Sequence, residues 1–64
     1  MKLIVLDFLK DICYVYNLNP TNATSGYIGE HVLDYEDPER VLHNLGHNPT
    51  HCLWMLTKNE IIIK

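Results

Sequence analysis

Three of the four histidines of this chain and one of its two cysteines fall within "HNLGHNPTHC", residues 43 to 52. His43, His47 and His51 are each four residues apart, and Cys52 adjoins the last. Imidazole nitrogens and thiolates are donors that zinc accepts, and histidines at i and i+4 share one face of a helix. Such a face could carry His43 and His47 toward a metal, with His51, Cys52 or His31 completing the ligands. Local punctuation argues against one continuous face. Gly46 suits the left-handed residue that ends a helix, and Asn48-Pro49 redirects the chain. No closely spaced cysteine pair and no His-Glu-x-x-His motif accompanies the histidines. Taken singly, His47 follows a helix end, where it can bond free carbonyls, His43 faces solvent and His51 opens the next element. The residues therefore favour no cofactor, with zinc on His43, His47, His51 and Cys52 as the alternative.

Cys13 and Cys52 sit in apolar runs, "DICYVY" and "HCLWML". Their wide separation does not suggest a disulfide framework, and the expectation is two reduced, buried thiols in a cytoplasmic protein. Cys52 and His51 adjoin in sequence, which points their side chains apart, so they do not form a thiol–imidazole pair.

A second pattern is "YVY" at 14–16, ten intervening residues, and "YIG" at 27–29. Over residues 14–43 this resembles the GIY-YIG nuclease family. The resemblance implies two tyrosine-bearing strands followed by a helix that carries an arginine. Tyr16 and Tyr27 would match the family tyrosines, with Tyr27 nearest the general base. Gly29 would match the motif glycine, and Arg40 the residue that stabilises phosphate charge. A metal such as magnesium would sit on the phosphate. Phosphodiester hydrolysis needs these parts: an activated water, a cation and a metal. The first motif lacks its leading glycine, and the family's metal-holding glutamate has no identified counterpart, Glu60 being a poor substitute. The residues by themselves favour no catalytic set. The alternative is Tyr16, Tyr27 and Arg40 in a reduced nuclease.

The elements that must position these residues are legible in outline. "KLIVL" at 2–6 reads as a buried strand, and "DFLKD" as a turn or a first helical turn. "ICYVYNL" alternates like a strand, although a helix over 8–17 would also put Phe8, Leu9, Ile12 and Tyr16 on one face. "NLNPTNATSG" is loop chemistry, its Asn22-Ala23-Thr24 sequon included. "YIGEHVLDY" reads as a strand with a bulge or close approach at Gly29. A hairpin of 12–18 with 27–35 is expected. Residues 38–45 form a helix, with Asp37 as N-cap, Pro38 at the first position and Val41, Leu42 and Leu45 as its apolar stripe. The C-terminus holds either a second helix, capped by Asn48 and followed by a strand at Ile61–Ile63, or a hairpin about Lys58-Asn59. These elements define a small α+β single domain.

Composition bounds the function. A 64-residue chain buries only about 60% of its unfolded surface. Its charged fraction is 20%, so apolar surface stays exposed, which favours a homodimer or a bound partner. Net charge is −3 and the five cations are scattered, which disfavours direct nucleic-acid binding. No export signal and no membrane-spanning run is recognisable. Acids gather instead at Glu30, Asp34, Glu36, Asp37 and Glu39. With Tyr35 among them, these residues are expected to meet a protein with a basic surface. The favoured reading is a small acidic, non-catalytic protein that binds and regulates or inhibits a partner. Chains of this size include inhibitors made by phages and mobile elements, here directed at a host nucleic-acid-binding protein.

Overall fold

The computed structural model describes residues 1–64. Its centre is β1, Lys2–Asp7, which pairs antiparallel on both sides. Side chains alternate across a strand, so Leu3, Val5 and Asp7 point inward and are buried, while Ile4 and Leu6 point outward. After the turn Phe8–Asp11, β2 (Ile12–Asn17) returns along β1 with Asp7 opposite Ile12 and Lys2 opposite Asn17. Asp11 takes the left-handed conformation at φ 58°, which aspartate tolerates better than most residues.

Leu18 leaves this first sheet, buries its side chain and donates its N–H to the Met1 carbonyl. The chain then starts a second sheet, with β3 (Asn19–Pro20) beside β4 (Ser25–Ile28) and β4 beside β5 (His31–Asp34). Pro20 is confined to the edge strand, where its missing N–H breaks no ladder. The intervening loop is tied by Asn22, whose Oδ1 accepts the backbone N–H groups of Thr24 and Ser25 at 2.8 and 2.9 Å.

Helix α1, Glu39–Asn44, packs Val41 and Leu42 inward and lies against β5. Its end is tightly specified. Gly46, at φ 88°, donates to the His43 carbonyl, and His47 N–H donates to the Leu42 carbonyl at 2.8 Å. These paired bonds satisfy carbonyls that a helix end leaves free. A 3-10 turn, Pro49–His51, follows, with the Asn48 side chain accepting from Thr50 N–H. It delivers the chain into β6, Cys52–Thr57, on the other side of β1. The first sheet is thus β2-β1-β6, and the core is Leu3, Val5, Leu18, Ile28, Leu33, Val41, Leu42 and Cys52.

The α+β class and the helix stand, but pairings differ from expectation. Residues 12–17 pair with β1, not with 27–35. A short turn closes at less entropic cost than a long loop, and this register keeps apolar side chains inward. Residues 27–35 are not one strand. Gly29, at φ 58°, and Glu30 form the two-residue turn between β4 and β5, so Gly29 serves a turn and not a bulge. The partners of β4 are instead Asn19 and Pro20, from the expected loop, on one side and β5 on the other. The helix begins at Glu39, with Pro38 at the cap and no side-chain cap, while Asp37 N–H bonds the Asp34 carbonyl. Asn48 and Pro49 do start a helical turn, but Cys52–Thr57 is a strand because its alternation matches the open edge of β1. Ile61–Ile63 form no strand and are exposed.

Candidate functional site

The inward parity of β1 ends on a carboxylate. Asp7 follows Leu3 and Val5 on the buried face and is itself 4% exposed. Lys10 N–H, in the turn that follows, donates to its Oδ1 at 3.0 Å. Antiparallel pairing sets Cys52, the first residue of β6, directly opposite Asp7. Tyr14 and Tyr16 lie opposite Val5 and Leu3 on β2. The helix stop supplies the last member: once Gly46 has reversed the chain, the His47 side chain enters this space and is 2% exposed. The Lys10 ammonium reinforces the approach by donating to the Gly46 carbonyl at 2.9 Å.

Both imidazole nitrogens are engaged. His47 Nδ1 lies 2.7 Å from Asp7 Oδ2, and Nε2 lies 2.6 Å from the Tyr16 hydroxyl. An ionised carboxylate only accepts, so Nδ1–H donates to Asp7. In the neutral ring Nε2 then accepts from the Tyr16 hydroxyl. The Tyr14 ring meets the imidazole at a centroid distance of 4.7 Å and an interplanar angle of 63°, and this packing fixes the ring plane.

The electrostatics follow from these contacts. The hydrogen bond from His47 lowers the Asp7 pKa below 3.8. Burial opposes it, and the Lys10 N–H and the charges of Lys10 and His47 assist. Burial raises the Tyr16 pKa above 10.0, with smaller contributions from Tyr14 and Asp7. Burial likewise raises the Cys52 thiol above 9.0, followed by the charge of Asp7 and a hydrogen bond to it. Activated nucleophiles are prepared by lowered pKa values or an adjacent base. Burial shifts Tyr16 and Cys52 the other way, while the His47 imidazole, oriented by Asp7, lies within hydrogen-bond reach of the Tyr16 hydroxyl.

Of the residues weighed for metal binding, the fold brings together His47 and Cys52 and adds Asp7. Donor atoms of these three lie within 4.8 Å of one another. His43 and His51 are exposed and take no part in that group. His47 serves the helix end through its backbone N–H, which frees its ring for Asp7. Cys13 is exposed on β2, not buried, while Cys52 is buried, and neither forms a disulfide. Asp7 escaped the sequence reading because "DFLKD" looked like a turn. The available signal was parity: a carboxylate two residues beyond Val5 in an alternating strand.

The residues marked by the nuclease resemblance take separate places. Tyr16 belongs to the first sheet and bonds His47. Tyr27 stands exposed on β4 of the second, and Arg40 lines a hollow with Val32, Asp34 and Asp37.

Glu30, Asp34, Glu36, Asp37 and Glu39 are all exposed. Tyr35, expected among the partner-facing residues, is instead half-buried against the core with its hydroxyl inside the molecule. The opposite, outer face of β2-β1-β6 is apolar. Ile4 has Val15 on one side and Met55 on the other, and Leu6 has Cys13 and Leu53. Leu53 and Met55 are 58% and 55% exposed. A polar row, Asn17, Lys2 and Thr57, borders this face.

No family model matches the chain, and no curated protein or solved structure matches it. No helix is long and apolar enough to cross a membrane.

Proposed function

We propose that this protein acts by binding a partner protein and regulating or inhibiting it. The observation that carries the reading is the outer face of β2-β1-β6, where Ile4, Leu6, Cys13, Val15, Leu53 and Met55 form two adjoining cross-strand rows. Isolated exposed apolar residues are ordinary, but contiguous ones on a small domain mark a surface that another molecule covers. The partner is a protein that offers an apolar surface and carries basic groups. Basic groups suit the exposed acids of the β4–β5 and α1 region, which attract them over a Debye length of about 8 Å at physiological salt.

The test begins with capture of a stoichiometric partner from the native host, followed by binding measurements with both proteins purified. Leu53→Asp with Met55→Lys should abolish binding while leaving the circular dichroism spectrum unchanged. Reversal of Asp34, Asp37 and Glu39 to lysine should slow association and remove most of its salt dependence. Equal affinity of the wild type and the Leu53→Asp, Met55→Lys protein would reject the reading. Concentration-dependent self-association lost in that same variant would assign the face to a second copy of this chain.

A further inference from the structure

We infer that Asp7, His47 and Cys52 form a zinc site, held on its far side by Tyr16. This site is separate from the partner-binding face and does not depend on it. Three observations converge. The three donors come from three different segments, the end of β1, the residue after the helix stop and the start of β6, and all three residues are buried. Their donor atoms lie within 4.8 Å of one another. One carboxylate, one imidazole and one thiol give a mixed oxygen, nitrogen and sulfur set that suits zinc and excludes magnesium.

Zinc bond lengths of about 2.0 to 2.3 Å put tetrahedral donors roughly 3.5 Å apart. The Asp7–His47 contact, now 2.7 Å, opens slightly, and the most distant donors draw together by about an ångström. The proton balance is simple. Without metal, the Nδ1 proton is held by the Asp7 carboxylate and buried Cys52 keeps its thiol proton. One zinc ion replaces these interactions. The thiol proton leaves to solvent, and the imidazole proton moves from Nδ1 to Nε2, so one proton is released per neutral histidine. The ion, one carboxylate and one thiolate then sum to zero charge, which a buried site tolerates.

Tyr16 is the positioning residue. Its hydroxyl donates to Nε2 in the metal-free protein and accepts from Nε2–H once zinc is on Nδ1, the outer partner that ligating histidines ordinarily have. Zinc sites with three protein ligands take a water in the fourth position, which would complete the tetrahedron here.

The experiment uses the reduced full-length chain and cobalt(II) as the spectroscopic substitute for zinc. One equivalent should bind and give a thiolate-to-cobalt charge-transfer absorption that zinc then removes. The absorption should persist in Cys13→Ser, His43→Ala and His51→Ala and be absent in Cys52→Ser. Tyr16→Phe should weaken affinity by about ten- to a hundredfold without moving the band. Should Cys52→Ser fail to fold, the wild type still decides: on adding zinc, His47 alone of the four histidines should switch its nitrogen resonances to the Nε2–H form. Failure to retain stoichiometric cobalt or zinc would overturn the site, as would a band lost in His43→Ala or His51→Ala.

Discussion

His47 and Asp7, 40 residues apart in sequence, are joined by a 2.7 Å hydrogen bond with both side chains buried. The bond ties the end of the only α-helix to the central strand of the first sheet. A buried polar pair contributes little net stability compared with an apolar replacement, but breaking one partner away is costly. The pair therefore specifies where the helix end lies on the sheet.

Acid should weaken the fold through this contact. The folded Asp7 pKa lies below its unfolded value near 3.8, so its contribution is fully present above that value. It is lost as pH falls through the depressed folded value. Urea midpoints of the wild type should drop between neutral pH and pH 3 more steeply than those of Asp7→Asn, which starts lower. Parallel pH profiles of the two proteins would contradict this assignment.

Removing the Tyr16 hydroxyl leaves a vacant acceptor on a buried imidazole. Tyr16→Phe should therefore destabilise the protein by about 1 kcal/mol, near the usual net value of one hydrogen bond. The stacked Tyr14–Tyr16 rings, 6.0 Å apart, should remain. Chemical denaturation measures the first expectation, and near-ultraviolet circular dichroism the second.

The two thiols should react in a fixed order. Cys13 is exposed on β2, whereas Cys52 is buried and its thiol is pushed up by burial and by Asp7. Iodoacetamide at neutral pH should label Cys13 in the native protein and reach Cys52 only after denaturation. Peptide mapping by mass spectrometry reads the order directly.

Two glycines should resist substitution for different reasons. A Cβ on Gly26 would stand 2.7 Å from Leu18 Cδ2 and 2.9 Å from the backbone oxygen of Asn19, so Gly26→Ala should cost about 1 to 3 kcal/mol by overpacking. A Cβ on Gly29 meets nothing within 4 Å, but the φ of 58° strains any L side chain, and Gly29→Ala should cost about 1 to 2 kcal/mol. Gly29→Asn should recover part of that loss, since asparagine visits this conformation, whereas Gly26→Asn should recover nothing. Thermal unfolding of the four variants distinguishes the two causes.

The sequence by itself determined what short-range chemistry controls. The β-branched apolar run "KLIVL" and the alternation of "ICYVYN" make strands, and Gly46 ends the helix. Asn48 and Pro49 start a new turn, as their side-chain oxygen and fixed φ require. Scarce charge implied exposed apolar surface, and the outer face of the first sheet supplies it. Tertiary structure decided which strands meet. Residues 12–17 could find a partner upstream or downstream, and loop length with inward-facing register selected β1. It also decided the site. The even histidine spacing pointed to one helical face, yet the break at Gly46 sends His43 to solvent and His47 inward. Asp7 and Tyr16 join His47 from distant positions because a strand fixes only the face on which a side chain emerges. What that side chain touches depends on how the elements pack.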